Sequence, residues 1–151
     1  MDEYVRKEME GLYQEIINAW NNRDAKGMAV LFTEQGVQIG FDGSKVIGSK
    51  EIFSHLNPIF ESHPTASFIT KVKDVRHIGS DAAILHAIAG MIPPGKNDIE
   101  PKVNAHQTLV AEKINNDWKI QLFQNTPAQF HGRPDLVELM TEELRQSIKQ
   151  K

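Results

Sequence analysis

Residues 67–78, 82–92, 102–114 and 118–126 are four long runs of strand character, separated by Gly79-Ser80-Asp81, Pro93-Pro94-Gly95 and Asn115-Asn116-Asp117. Clusters of Gly, Pro, Asn, Asp and Ser supply the positive φ angles and fixed bends of tight turns, so consecutive runs are expected to fold back on one another as an antiparallel meander. Such a sheet has to bury at least one face against another layer. The preceding segment provides that layer. Between residues 4 and 22, Val5, Met9, Leu12, Tyr13, Ile16, Ile17 and Trp20 recur at three- and four-residue steps, which places them on one face of an amphipathic helix. Asn22 and Arg23 interrupt the stripe, and Asp24 caps a second short helix with Met28, Leu31 and Phe32 on its buried side.

Residues 37–41 read as a short strand that Asp42-Gly43-Ser44 turns back into residues 45–47. Gly48-Ser49 opens a helix bearing Ile52, Phe53, Leu56, Ile59 and Phe60. Pro58 has no N–H to donate, which predicts a kink or an early end near Asn57. A last helix opens at Pro134, with Val137, Met140, Leu144 and Ile148 as its apolar stripe. Helices first and a meander afterwards make an α+β domain, its antiparallel sheet strongly curved around the N-terminal helices. The space enclosed is where a ligand would sit.

A chain of 151 residues suits one core, burying about two thirds of its unfolded surface. Cysteine is absent, which removes disulfides, thiolate chemistry and cysteine zinc sites and suits a reducing compartment, so the chain is expected to be cytoplasmic. Residues 1–11 form a charged helix opening, unlike a signal peptide, and no run approaches the roughly 20 apolar residues of a membrane span. Neither membrane nor nucleic acid is expected as a partner, because 17 Lys and Arg intersperse with 20 Asp and Glu and leave no basic stripe. His55, His63, His77, His86, His106 and His131 lack metal-ligand spacing. No nucleophile elbow, phosphate-cradling glycine loop or dinucleotide fingerprint occurs either, so neither a metal nor a cofactor is predicted.

Four groups of residues carry a resemblance. They are Ala19-Trp20-Asn21-Asn22-Arg23-Asp24, Gly48-Ser49-Lys50-Glu51-Ile52, Thr108-Leu109-Val110 with Asp117-Trp118-Lys119-Ile120, and Gln124-Asn125-Thr126-Pro127. With the element order, they resemble the nuclear-transport-factor-2-like superfamily and, within it, the SnoaL-like branch that includes the SgcJ/EcaC proteins. The resemblance implies a cone-shaped, cystatin-like α+β roll over residues 1–132, with residues 133–151 as an additional C-terminal helix. It does not name a reaction, since this superfamily hosts isomerases, dehydratases, cyclases, binding modules and association domains. Its steroid-isomerase-like members carry a general-base carboxylate at the end of the first strand. Ile39 and Gly40 stand near that position here, with Asp42 next along in the turn.

Strand alternation places Trp118, Ile120, Leu122 and Gln124 on one face, and His106, Thr108 and Val110 on one face of the preceding strand. Pairing His106 with Gln124 would bring an imidazole and an amide together in an apolar surround. The expected cavity is lined by these two and by Trp20, Phe32, Ile39, Phe41, His86 and Thr108, with Tyr13 as a further contact. His86 and His106 are the candidate proton carriers, because an imidazole titrates near neutrality. His86 is equally a candidate core histidine, and Trp20 and Tyr13 candidate core residues. The expected function is therefore a homodimeric protein with a pocket for a small apolar molecule. The alternatives are a cofactor-independent isomerase, dehydratase or cyclase acting α to a carbonyl, and an association module. Apolar residues on both sheet faces predict that the outer face forms the twofold interface.

Overall fold

A computed structural model describes residues 3–149. Helix α1 (Glu3–Asn21) buries Val5, Met9, Leu12, Tyr13, Ile16 and Ile17, the stripe read from the sequence. Arg23 then takes a positive φ of 54°, which ends the helix. Asp24 caps α2 (Ala25–Ala29), its Oδ1 accepting from the Gly27 amide at 2.9 Å.

Phe32 departs from the helical reading: α2 stops at Ala29, and Phe32 opens strand β1 (Phe32–Ile39). The reason is tertiary. The Ile120 amide donates to the Leu31 carbonyl at 2.8 Å, drawing this segment onto the last strand of the sheet. The register slips between Phe32 and Val37. Gly36 lies in that irregular stretch, where a Cβ would stand 2.6 Å from the Ile120 carbonyl oxygen.

Strand β2 (Lys45–Ile47) pairs antiparallel with β1. Helix α3 (Ser49–Ser62) runs through Pro58 and ends at Ser62, beyond the stop expected near Asn57. Packing on both sides of the proline outweighs its missing hydrogen bond. Ile52 and Leu56 are buried before it, and Phe60 meets the Trp20 ring edge-on after it, with centroids 5.3 Å apart.

The meander follows as β3 (Ser67–Ile78), β4 (Ala82–Ile92), β5 (Ala105–Ile114) and β6 (Asp117–Pro127), with a 3-10 turn at Pro101–Val103 before β5. Asn115 and Asn116 both have positive φ and join β5 to β6 by a two-residue hairpin turn. The sheet order is β2-β1-β6-β5-β4-β3. Every neighbouring pair is antiparallel apart from β1 and β6, which run parallel, so the sheet is mixed where the sequence predicted an antiparallel one. Its inner face, with Leu85, Ala87, Leu109, Ile120 and Phe123, closes the main core against α1.

Helix α4 (Pro134–Lys149) docks on the opposite face of the same domain; Gln150 and Lys151 lie outside the described residues. Met140 and Leu144 of its predicted stripe pack with Ile88 and Ile99 as a second, smaller core, whereas Ile148 is exposed. Burying two side chains of this size contributes roughly 3–6 kcal/mol. Gly90 of β4 lets the helix come close, since a Cβ there would stand 2.9 Å from Leu144 Cδ1. Asn104 Nδ2 donates to Thr141 Oγ1 at 2.9 Å, and Glu143 pairs with both Lys71 and Lys73 of β3. Among the described residues no helix is long and apolar enough to cross a membrane.

Candidate functional site

A cavity of about 250 Å³ opens between the end of α1, helix α3 and the β1–β2 hairpin. Trp20, Phe41, Val46, Leu56 and Ile59 supply apolar wall, while Gln38, Asp42, Ser44 and His55 supply the polar groups. Trp20 is held by its indole N–H, which donates to the Ala66 carbonyl at 2.8 Å. Gln38 is 7% exposed, and its buried Oε1 has no hydrogen-bond partner. A stranded buried amide oxygen is uncommon in folded proteins, because leaving it unpaired costs about 1–3 kcal/mol. Asp42 is committed to its turn. Its Oδ1 accepts from the Ser44 amide at 2.9 Å, and the Ser44 hydrogen bonds, with His55 nearby, hold its carboxyl below the ordinary range.

Deeper in, a chain of polar side chains crosses the inner face. The Tyr13 hydroxyl donates to Gln107 Oε1, Gln107 Nε2 donates to Asn125 Oδ1 at 2.9 Å, and Asn125 Nδ2 donates to the Ile39 carbonyl at 3.2 Å. Burial pushes the Tyr13 pKa up, so the phenol stays protonated and serves as a donor. Tyr13 and Gln107 are fully packed and lie away from the cavity lining.

The expected pocket residues divide between the two faces of the sheet. Trp20 and Phe41 line the cavity, while Phe32 is packed in the main core. His86, His106, Thr108, Gln124 and Ile39 share the outer face instead, through the pairs His86↔Thr108, Thr108↔Gln124 and Ile39↔Gln124. His106 lies opposite Thr126, two pairs along from Gln124. The single cavity predicted for all of these residues does not form, and a bulge is part of the reason. Between Val110 and Ala111 the β5–β6 register shifts, and Gln121 is the extra residue. Trp118 and Ile120 therefore face the core while Leu122 and Gln124 face outward, so the uniform alternation expected along this strand is broken.

On the outer face, His86 Nε2 and His106 Nδ1 are 2.9 Å apart, and the rings stack with centroids 5.1 Å apart. Asp74 Oδ2 lies 3.8 Å from His86 Nδ1. Among the described residues no three His, Asp or Glu side chains converge in a way that would hold a metal ion.

The sequence matches the model of the SnoaL-like domain over residues 9–124. The chain belongs to the SnoaL-like family. No curated protein matches it significantly. Solved structures share the fold of this SnoaL-like chain. A cystatin-like domain of unknown function from Nostoc punctiforme superposes with a TM-score of 0.80 at 22% identity, covering 100% of both chains. An NTF-2-like protein of unknown function from Shewanella oneidensis gives 0.62 at 18% identity, over 81% of this chain and 98% of that one. A ketosteroid isomerase-like protein from Erwinia carotovora gives 0.63 at 15% identity, over 82% and 95%. At these identities the likeness speaks for the fold alone.

Within this SnoaL-like frame, sequence reasoning missed Gln38, Val46, His55, Leu56 and Ile59 as cavity residues. A signal existed for Gln38. Alternation along residues 37–41 sets it and Gly40 opposite Val37 and Ile39, a polar residue on the face that strand pairing turns inward. Gln107 and Asn125 showed the same mark, each being a polar residue alternating with the outward row.

Proposed function

We propose that this SnoaL-like chain binds a small molecule in the cavity between α1, α3 and the β1–β2 hairpin. The observation that carries this reading is Gln38, a residue in the wall of a mostly apolar cavity whose amide oxygen is buried and unpartnered. A ligand with an apolar body and one N–H or O–H donor satisfies both features: its body meets Trp20, Phe41, Leu56 and Ile59, and its donor pairs with Gln38. The absence of cysteine supports a cytoplasmic setting. The partly buried apolar residues Val37, Ile39, Ile84, Val110 and Leu122 on the outer face support a homodimer formed through that face, for which Leu122→Lys should yield a monomer in light scattering. The finer affiliation with SgcJ/EcaC-type proteins rests on the residue groups that carry the resemblance.

Acid–base catalysis on a carbonyl compound is the second reading, and His55 in the cavity wall favours it. His86 and His106 stand on the other face of the sheet, and Asp42 is a weakened base, so proton transfer in this cavity would fall to His55.

The test is a fragment screen by NMR, using monocyclic aromatics with and without an amide or hydroxyl donor. Binders should shift the Trp20 indole N–H, and Gln38→Met should abolish the preference for donor-bearing fragments. Binders that leave Trp20 unshifted, or a Gln38→Met protein that keeps the preference, would remove the basis for the assignment.

A further inference from the structure

A second cavity, of about 200 Å³, lies between α4 and the outer face of the sheet. Ile88, Phe130, Leu136, Leu139 and Met140 form its apolar wall, with Leu139 66% exposed, and Lys73, His86, His106 and Glu143 form its polar side. An apolar cavity of about 150 Å³ accommodates benzene, so this one has room for a ring or a short alkyl chain.

The polar side is built for an anion. Lys71 and Lys73 of β3 both converge on Glu143 of α4, two ammonium groups on one carboxylate, which leaves an excess positive charge there. Asp74, next to Lys73, faces the far edge of His86 and has Arg76 Nε 4.0 Å away, so its charge is answered locally. We assign the His86 proton to Nδ1, the edge that faces Asp74 across 3.8 Å, so that His86 Nε2 accepts from His106 Nδ1–H at 2.9 Å. His106 Nε2 is left without a protein partner among the described residues. It can take up a proton and present a charged donor.

We propose that this outer cavity binds a small monocarboxylate, its apolar body against Phe130, Leu136 and Leu139 and its carboxylate between His106 Nε2–H and Lys73. Burial, with His86 and Lys73 nearby, holds the free His106 below its ordinary pKa. An arriving anion reverses that balance, so binding is accompanied by proton uptake and tightens as the pH falls.

Sodium benzoate is the probe and benzamide its neutral counterpart, followed by calorimetry and by imidazole 15N NMR of the full chain. Benzoate should shift the His86 and His106 rings and leave Trp20 and His55 unmoved, which separates this site from the cavity on the inner face. Its affinity should rise as the pH is lowered toward and below about 6.5, the ordinary imidazole value beneath which free His106 titrates. His106→Gln should weaken it by about tenfold or more, consistent with the loss of a charge-assisted hydrogen bond. Lys73→Met should weaken benzoate and not benzamide, and serves alone if His106→Gln fails to fold. Equal affinity for benzoate and benzamide would overturn the proposal. So would shifts confined to Trp20 and His55, absence of saturation at millimolar benzoate, or affinities unchanged by both substitutions.

Discussion

Replacing Gln38 by Met should make the protein more stable while removing its ability to pair with a ligand donor. The two side chains are close in length and volume, so the replacement opens little space and forces little repacking. What changes is the amide. Gln38 is 7% exposed, and its Oε1 has no partner. An orphaned buried oxygen costs about 1–3 kcal/mol, and removing it should return roughly 1–2 kcal/mol after allowance for small losses in repacking. The backbone pairs of Gln38 with Val46 and Phe123 are untouched by the substitution. For a domain of this size, each kcal/mol moves the melting temperature by about 2–4 °C, so a rise of roughly 2–8 °C is expected. Urea titration should show the midpoint moving up with an unchanged slope. A lower midpoint would mean that the amide is already engaged, and the cavity would then have lost the feature that recommends it as a binding site.

Tyr13→Phe leaves Gln107 Oε1 without its donor inside the core and should cost about 1–3 kcal/mol in urea unfolding; a loss well below this range would show the pair to be dispensable. Gly90→Ala brings a methyl group to 2.9 Å from Leu144 Cδ1 and 3.0 Å from Asn104 Oδ1, and should loosen α4. About 1–3 kcal/mol is expected, with faster proteolysis within residues 134–149 as the local readout. His106 has a folded pKa below its ordinary 6.5, so the unfolded chain binds more protons just below that value. Its contribution is therefore complete above about pH 6.5 and declines as the pH falls toward the depressed folded value; His106→Gln should flatten that part of the stability curve.

Features decided within a few residues were legible in the sequence. The α1 stripe needs only its own periodicity, and the Asn115-Asn116 turn needs only two residues that tolerate positive φ. Phe32 and Pro58 were misplaced for the opposite reason, because their conformations depend on partners far along the chain, Ile120 for the Phe32 segment and Trp20 for the end of α3. Alternation sets His86, Thr108 and Gln124 together, as the strand pairs do, but carries no sign for inside or outside when both faces of a strand are apolar. Nor does it announce an extra residue such as Gln121. The cavity around Gln38 was invisible as a unit, since its wall is assembled from α1, α3 and the β1–β2 hairpin.

Because α1 packs on one face of the sheet and α4 on the other, β4 is shielded from both sides, with Ala83, Leu85, Ala87, Ile88 and Ala89 all buried. Its amides can meet solvent deuterons only when a large part of the molecule opens, so β4 should exchange on the timescale of global unfolding. Strand β2 lies at the sheet edge with Lys45 and Ile47 exposed, and its amides should exchange through small local openings. That gradient places the mouth of the Gln38 cavity at the labile end of the sheet, where a guest can enter and leave while the β4 side stays closed.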